Sequence, residues 1–166
     1  IIDSLFTTTS AVAVTGLVVN DVSTTFSLFG KTVIIILIQL GGLGIMTFSS
    51  IIVLFVAKKI SYSTKKIVQE DLNYNTLFDI QKYIKNVVRT AIFIESLGAF
   101  CLFFVFIERY SFWKAVYYSI FHSISAFCNA GFTLYSANLI DFKSNNVINI
   151  VISLLIILGG IGFAVL

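Results

Sequence analysis

Between Lys31 and Lys58 the chain runs through 26 residues, Thr32 to Ala57, without one charged side chain. At about 1.5 Å of rise per residue, such a run extends roughly 39 Å as a helix and can cross a bilayer with some tilt. The rest of the chain agrees: it is 58% hydrophobic and 11% charged, with a mean hydropathy of +0.99, far more apolar than a soluble domain of 166 residues needs for its core. The expected class is an all-α integral membrane protein. The net charge of +3 is small and unevenly placed, so it reports orientation and excludes nucleic-acid binding as the purpose of the basic residues. Cys101 and Cys128 sit in apolar surroundings without metal-ligand spacing, so neither a disulfide framework nor a cofactor is expected.

A polar interruption occurs twice in this apolar background. Ser10-Ala11-Val12-Ala13-Val14-Thr15-Gly16-Leu17 is echoed 115 positions later by Ser125-Ala126-Phe127-Cys128-Asn129-Ala130-Gly131-Phe132. Each copy is followed by a Gly-Gly-apolar-Gly run, Gly41-Gly42-Leu43-Gly44 and Gly159-Gly160-Ile161-Gly162. Two signals recurring in the same order point to an internal duplication.

The segments divide by charge and polarity. Residues 1–30 hold the first interruption, crowded with Thr7, Thr8, Thr9, Ser10 and Thr15, and suit a short protein-buried helix ending at Gly16. Residues 31–57 form a first inner helix. Residues 58–86 carry Lys58, Lys59, Lys65, Lys66, Lys82 and Lys85, an excess that places this loop in the cytoplasm. Within it, Ser63 to Lys85 suits a short amphipathic helix with Ile67, Leu72, Leu77, Phe78 and Ile80 on its apolar side. Residues 87–108 make an outer helix. Residues 109–143 contain His122, Ser123, Ser125, Asn129 and Gly131 inside an uncharged run, too polar for a lipid-facing span. They are read as a helix over Phe112 to Phe127 and an extended return from Cys128 to about Leu139. Residues 144–166 begin a second inner helix. If 58–86 is inside, both interruptions dip in from the outer face, and each repeat reads outer helix, re-entrant pore hairpin, inner helix, a potassium-channel-like plan. The chain opens at Ile1 without Met or a signal-peptide pattern and stops within an apolar run, so a fragment of a longer protein is expected.

These residues resemble the Trk/Ktr/HKT superfamily of potassium transporters, and within it the bacterial Ktr membrane (translocating) subunit. The resemblance rests on Thr9 to Leu17, Gln39-Leu40-Gly41-Gly42-Leu43-Gly44, Ser125 to Phe132 and the final Gly-Gly-Ile-Gly-Phe, and it covers nearly the whole chain. It implies four repeats around one pore, of which this chain would hold the end of the first and most of the second. It also implies a multi-pass bacterial inner-membrane protein, a homodimer and a cytosolic nucleotide-binding regulatory subunit, with potassium as the transported ion and sodium coupling left open. The 58–86 loop lies on the side to meet that subunit, or equally anionic lipid.

The chemistry has a reason independent of family. A partly dehydrated monovalent cation needs several oxygens at once, and backbone carbonyls supply them without a fixed charge that would trap it. Aiming consecutive carbonyls at one axis demands dihedrals that glycine tolerates. The candidate filter residues are therefore Val14, Thr15, Gly16 and Leu17 with Asn129, Ala130, Gly131 and Phe132. In the resembled family a glycine at the Gly16 position accompanies potassium preference, whereas serine there goes with sodium transport in some plant members. Taken singly, Gly16 and Gly131 read as turn glycines; their pairing reverses this. Gly41, Gly42, Gly44, Gly159, Gly160 and Gly162 read as close-packing points of inner helices, with gating as a lesser role. Glu95, six residues from Arg89 and so not its helical partner, is a secondary candidate that must find another partner. Asp21 and Asp141 draw cations to the outer mouth or are solvated loop acids. His122 reads as a hydrogen-bonded helix residue. The competing function is a membrane-embedded enzyme or structural subunit, for which Glu95, His122 and Cys128 would have to converge.

Overall fold

The computed structural model describes residues 2–59 and 77–161, with side chains described outside 45–59 and 77–84. Among these residues every regular element is helical: α1 (Ile2–Val12), α2 (Val22–Thr25), α3 (Leu28–Lys59), α4 (Leu77–Phe106), α5 (Phe112–Phe127), a 3-10 turn (Ile140–Phe142) and α6 (Asn146–Ile161).

The hydroxyl-rich start of the chain is helical because it satisfies itself. Thr7, Thr8 and Thr9 donate to the carbonyls four residues back, on Asp3, Ser4 and Leu5, at 2.9, 2.9 and 2.8 Å. Such back-bonding lets a polar side chain remain in an apolar setting without an outside partner. Helix α3, expected from residue 31, starts at Leu28, since the Lys31 ammonium reaches back to donate to the Ser23 carbonyl at 2.7 Å and leaves the helix itself free to continue. Ser27 accepts from the Gly30 N–H at 3.3 Å, as an N-cap hydroxyl does.

Helix α4 runs without a break from Leu77 to Phe106, so it takes in Leu77 to Lys85, the described end of the expected amphipathic helix, together with the expected 87–108 helix, which closes at Phe106. Lys82, Lys85 and Arg89 are good helix formers and do not interrupt it. Ser63, Ile67 and Leu72 of the expected amphipathic helix lie outside the described residues. The return after α5 is irregular only as far as Tyr135; it then closes through turns, with Asn138 at φ 53°, into the 3-10 turn.

Helix α5 packs against α4 and α6, which also touch each other, while α1 packs along α3 and α3 meets both α4 and α5. One buried cluster joins the two halves: Ala11, Ile34 and Ile38 meet Phe121, Ala130 and Phe132. A second, with Leu102, Phe106, Ala115, Phe142 and Ile148, ties α4, α5 and α6 together. Among the described residues one helical stretch, Lys85–Phe106, is long and apolar enough to cross a membrane; Leu28–Gly44 and Asn146–Ile161 are shorter apolar helices.

Candidate functional site

Helices α1 and α5 end in the same way. The N–H groups of Ala13, Val14 and Thr15 donate to Thr9, Ala11 and Ser10; those of Cys128, Asn129 and Ala130 donate to Ile124, Ala126 and Ser125, each 115 positions on. The Thr15-to-Ser10 and Val14-to-Ala11 bonds, at 3.0 and 3.3 Å, form the crossed pair of a Schellman stop, as do their counterparts at 2.8 and 3.0 Å. The left-handed residue of that stop is Val14 (φ 55°) in one loop and Asn129 (φ 58°) in the other, so α1 is terminated before Gly16 and not by it. A β-branched residue in this region is strained and is held there by its surroundings. Two residues later Gly16 (φ 77°) and Gly131 (φ 71°) turn left-handed again.

The two loops meet backbone to backbone at these glycines. A Cβ on Gly16 would lie 2.6 Å from the Ala130 carbonyl oxygen and 3.5 Å from the Gly131 Cα; one on Gly131 would lie 3.7 Å from the Gly16 Cα. Behind each loop a glycine of α3 or α6 receives the end of the short helix. A Cβ on Gly41 would collide with the carbonyl oxygen of Val12, the last residue of α1, and one on Gly159 with that of Phe127, the last residue of α5. Gly42 leaves room for the Cys128 sulfur, 2.6 Å from where its Cβ would stand, and a Cβ on Gly160 would stand 3.8 Å from the Asn129 amide nitrogen. A Cβ on Gly44 would meet nothing within 4 Å, and Gly162 lies outside the described residues.

The eight loop residues do not present alike. Thr15, Leu17, Asn129 and Gly131 are exposed, Val14 and Gly16 half-buried, and Ala130 and Phe132 buried. The Phe132 carbonyl accepts the Ser125 hydroxyl at 2.6 Å and is thereby turned into the protein, unlike a free ligand. In the first loop the equivalent Ser10 hydroxyl pairs with that of Thr15 at 2.8 Å.

His122 fastens the second loop to its helix. Its Nδ1–H donates to the Tyr118 carbonyl at 2.7 Å, which leaves Nε2 to accept from the Leu134 N–H at 3.4 Å. Rings of Phe106, Tyr118, Phe121 and Tyr135 surround it. Asp21 caps α2, accepting the Ser23 N–H at 2.7 Å, and the hydroxyls of Ser136 and Ser23 hold its carboxyl below the usual carboxylate range. The Ser23 and Ser136 hydroxyls, 2.8 Å apart, bridge the two halves. Asp141 is exposed in the 3-10 turn.

The partner of Glu95 is Gln39, whose Nε2 donates to both carboxylate oxygens at 3.0 and 3.1 Å. Gln39 was visible in sequence only as part of a glycine motif. It is the one amide in the uncharged run 32–57, and a lone amide in one apolar run beside a lone carboxylate in the next is the signal that could have paired them. Cys128 stands 4.0 Å from the Gln39 Oε1. Thus Glu95 and Cys128 meet at Gln39, while both ring nitrogens of His122 are engaged elsewhere; the three do not form a nucleophile and base.

The family model described as TrkH, cation transport protein, matches residues 1–166. The chain is 45% identical over 165 residues to the Ktr system potassium uptake protein B of Bacillus subtilis, covering 99% of this chain and 37% of that protein. It is 39% identical over 164 residues to the potassium/sodium uptake protein NtpJ of Enterococcus hirae (99% and 36%), and 35% identical over 166 residues to the Ktr system potassium uptake protein B of Vibrio alginolyticus (100% and 36%). It therefore spans just over a third of the length of these relatives.

Proposed function

The chain belongs to the TrkH family of cation transport proteins, and from that premise we propose that it is part of a membrane subunit that takes up potassium, with the ion held by backbone carbonyls of the two loops. The observation that carries this reading is the approach of Gly16 and Gly131: two loops of the same backbone course, 115 residues apart, meet through left-handed glycines with no room for a side chain at Gly16. Backbone held this way at membrane depth is tolerated where it lines a polar path. The short helices add to it. Both α1 and α5 end at the loops, so the negative ends of their dipoles favour a cation there. Carbonyls of Val14, Thr15, Gly16, Leu17, Asn129, Ala130 and Gly131 serve as ligands, and that of Phe132 shapes the loop through Ser125.

In this account residues 1–30 and 109–143 are pore hairpins dipping from the outside, α3 and α6 are inner helices and α4 is an outer helix, within a repeat plan completed by other parts of the protein. Gly41 and Gly159 act as close-packing points against the pore helices. The lysine-rich segment faces the cytoplasm, where it meets a separate regulatory subunit or anionic lipid, and the membrane subunits pair as homodimers. Potassium is the preferred ion, with sodium as a co-transported or competing one.

The test uses the full-length protein containing this segment, expressed in a host deficient in potassium uptake. Wild type restores growth at low potassium, and Gly131→Leu abolishes growth and uptake while membrane expression persists. Uptake and ion preference that survive Gly131→Leu unchanged would remove the loops from the ion path.

A further inference from the structure

Glu95 is 6% exposed and is locked by three contacts. Its carboxylate takes the Gln39 amide of α3, and its backbone carbonyl accepts the Ser123 hydroxyl of α5 at 2.6 Å. The far end of Gln39 then faces Cys128, the residue before Asn129 in the second loop. Gly42, one turn along α3, makes space for that same Cys128 side chain. The carboxylate is therefore bonded by a neutral group, the Gln39 amide of α3, whose other end faces Cys128 at the start of the loop, while Ser123 of α5 fixes the Glu95 backbone. Among the described residues no lysine or arginine pairs with it. Burying a carboxylate without a countercharge is costly, and removing the charge would be simpler than retaining it unless a positive charge comes near.

We propose that Glu95 is a positioning residue that sets the cation affinity of the loops, with the cation bound between them serving as its countercharge. This rests on the transport reading above. The effect passes through the Gln39 amide dipole and the Cys128–Asn129 backbone to the site, so the residue touches no ion itself. It acts on binding and leaves the passage step largely alone.

The experiment measures concentration-dependent potassium uptake by the full-length protein in proteoliposomes. The Glu95→Gln variant keeps size and hydrogen bonding but removes the charge; its KM for potassium rises roughly tenfold, the scale of one unit charge acting across a short distance in protein interior, with maximal rate and thermal midpoint close to wild type. The exchanged pair Gln39→Glu with Glu95→Gln returns the charge to the same junction and restores the wild-type KM. An unchanged KM in Glu95→Gln, or a raised KM that the exchanged pair leaves raised, overturns the proposal. Should Glu95→Gln not fold, the exchanged pair decides alone: a wild-type KM supports the proposal and a raised one refutes it. Wild-type protein that moves no potassium would sink the transport reading and this inference with it, a result distinct from an unchanged KM in an active transporter.

Discussion

At the residue scale, the two loops depend on what is missing from them. Gly16 and Gly131 were legible in sequence because a glycine that recurs at the same place in a repeated polar interruption marks a demand of the backbone and not a turn met by chance. Val14 and Asn129 were legible as loop members but not as the left-handed helix stops, since that position usually belongs to glycine and a valine there carries no sequence signal. The glycines of α3 and α6 are similar: a Gly-Gly pair suggests close packing, yet only the structure gives Gly41 the Val12 carbonyl and Gly159 the Phe127 carbonyl as neighbours. Because both neighbours are backbone and cannot swing aside, Gly41→Ala and Gly159→Ala should each lower stability by about 1–3 kcal/mol, as overpacking does. Thermal unfolding of the full-length protein in detergent checks this. Two midpoints indistinguishable from wild type would mean that the helices have slack at these points.

At the scale of elements, helix ends were harder to read than helices. The span Phe112 to Phe127 stood out because His122, Ser123 and Ser125 interrupt an otherwise apolar run and Asn129 and Gly131 follow it; the structure adds Ser111 as its N-cap. By contrast α4 begins ten residues before the expected outer helix, because charge marks a side of the membrane and not a change of secondary structure. The contact that binds helix to loop was legible only in part. His122 was expected to be hydrogen-bonded, but its Leu134 partner lies across a chain reversal that no periodicity encodes. His122→Phe preserves the ring packing with Phe106 and Tyr135 and leaves the buried Leu134 N–H short of a partner, while the Tyr118 carbonyl keeps its helical bond within α5. The expected cost is about 1–3 kcal/mol for the unsatisfied N–H, seen as a lower thermal midpoint. A midpoint equal to wild type would show that the ring, and not its nitrogens, holds the return segment.

At the scale of the whole molecule, the duplication is what organises everything else. The hydrogen bonds that end α1 recur at the end of α5, the glycines behind them recur on α3 and α6, and the halves meet through Ala11, Ile38, Phe121 and Ala130. The seam between halves was invisible in sequence: Gln39 and Glu95 are 56 residues apart, and Ser23 and Ser136 are 113 apart. The proposed ion path requires a shared ligand position between the two loops. Thallium(I), a potassium mimic with strong anomalous scattering, can locate it directly in crystals of the full-length protein. The expected result is an anomalous peak coordinated by carbonyl oxygens of residues 14–17 and 129–131, displaced by excess potassium. A transport-active protein with thallium bound elsewhere and none between Gly16 and Gly131 would contradict it.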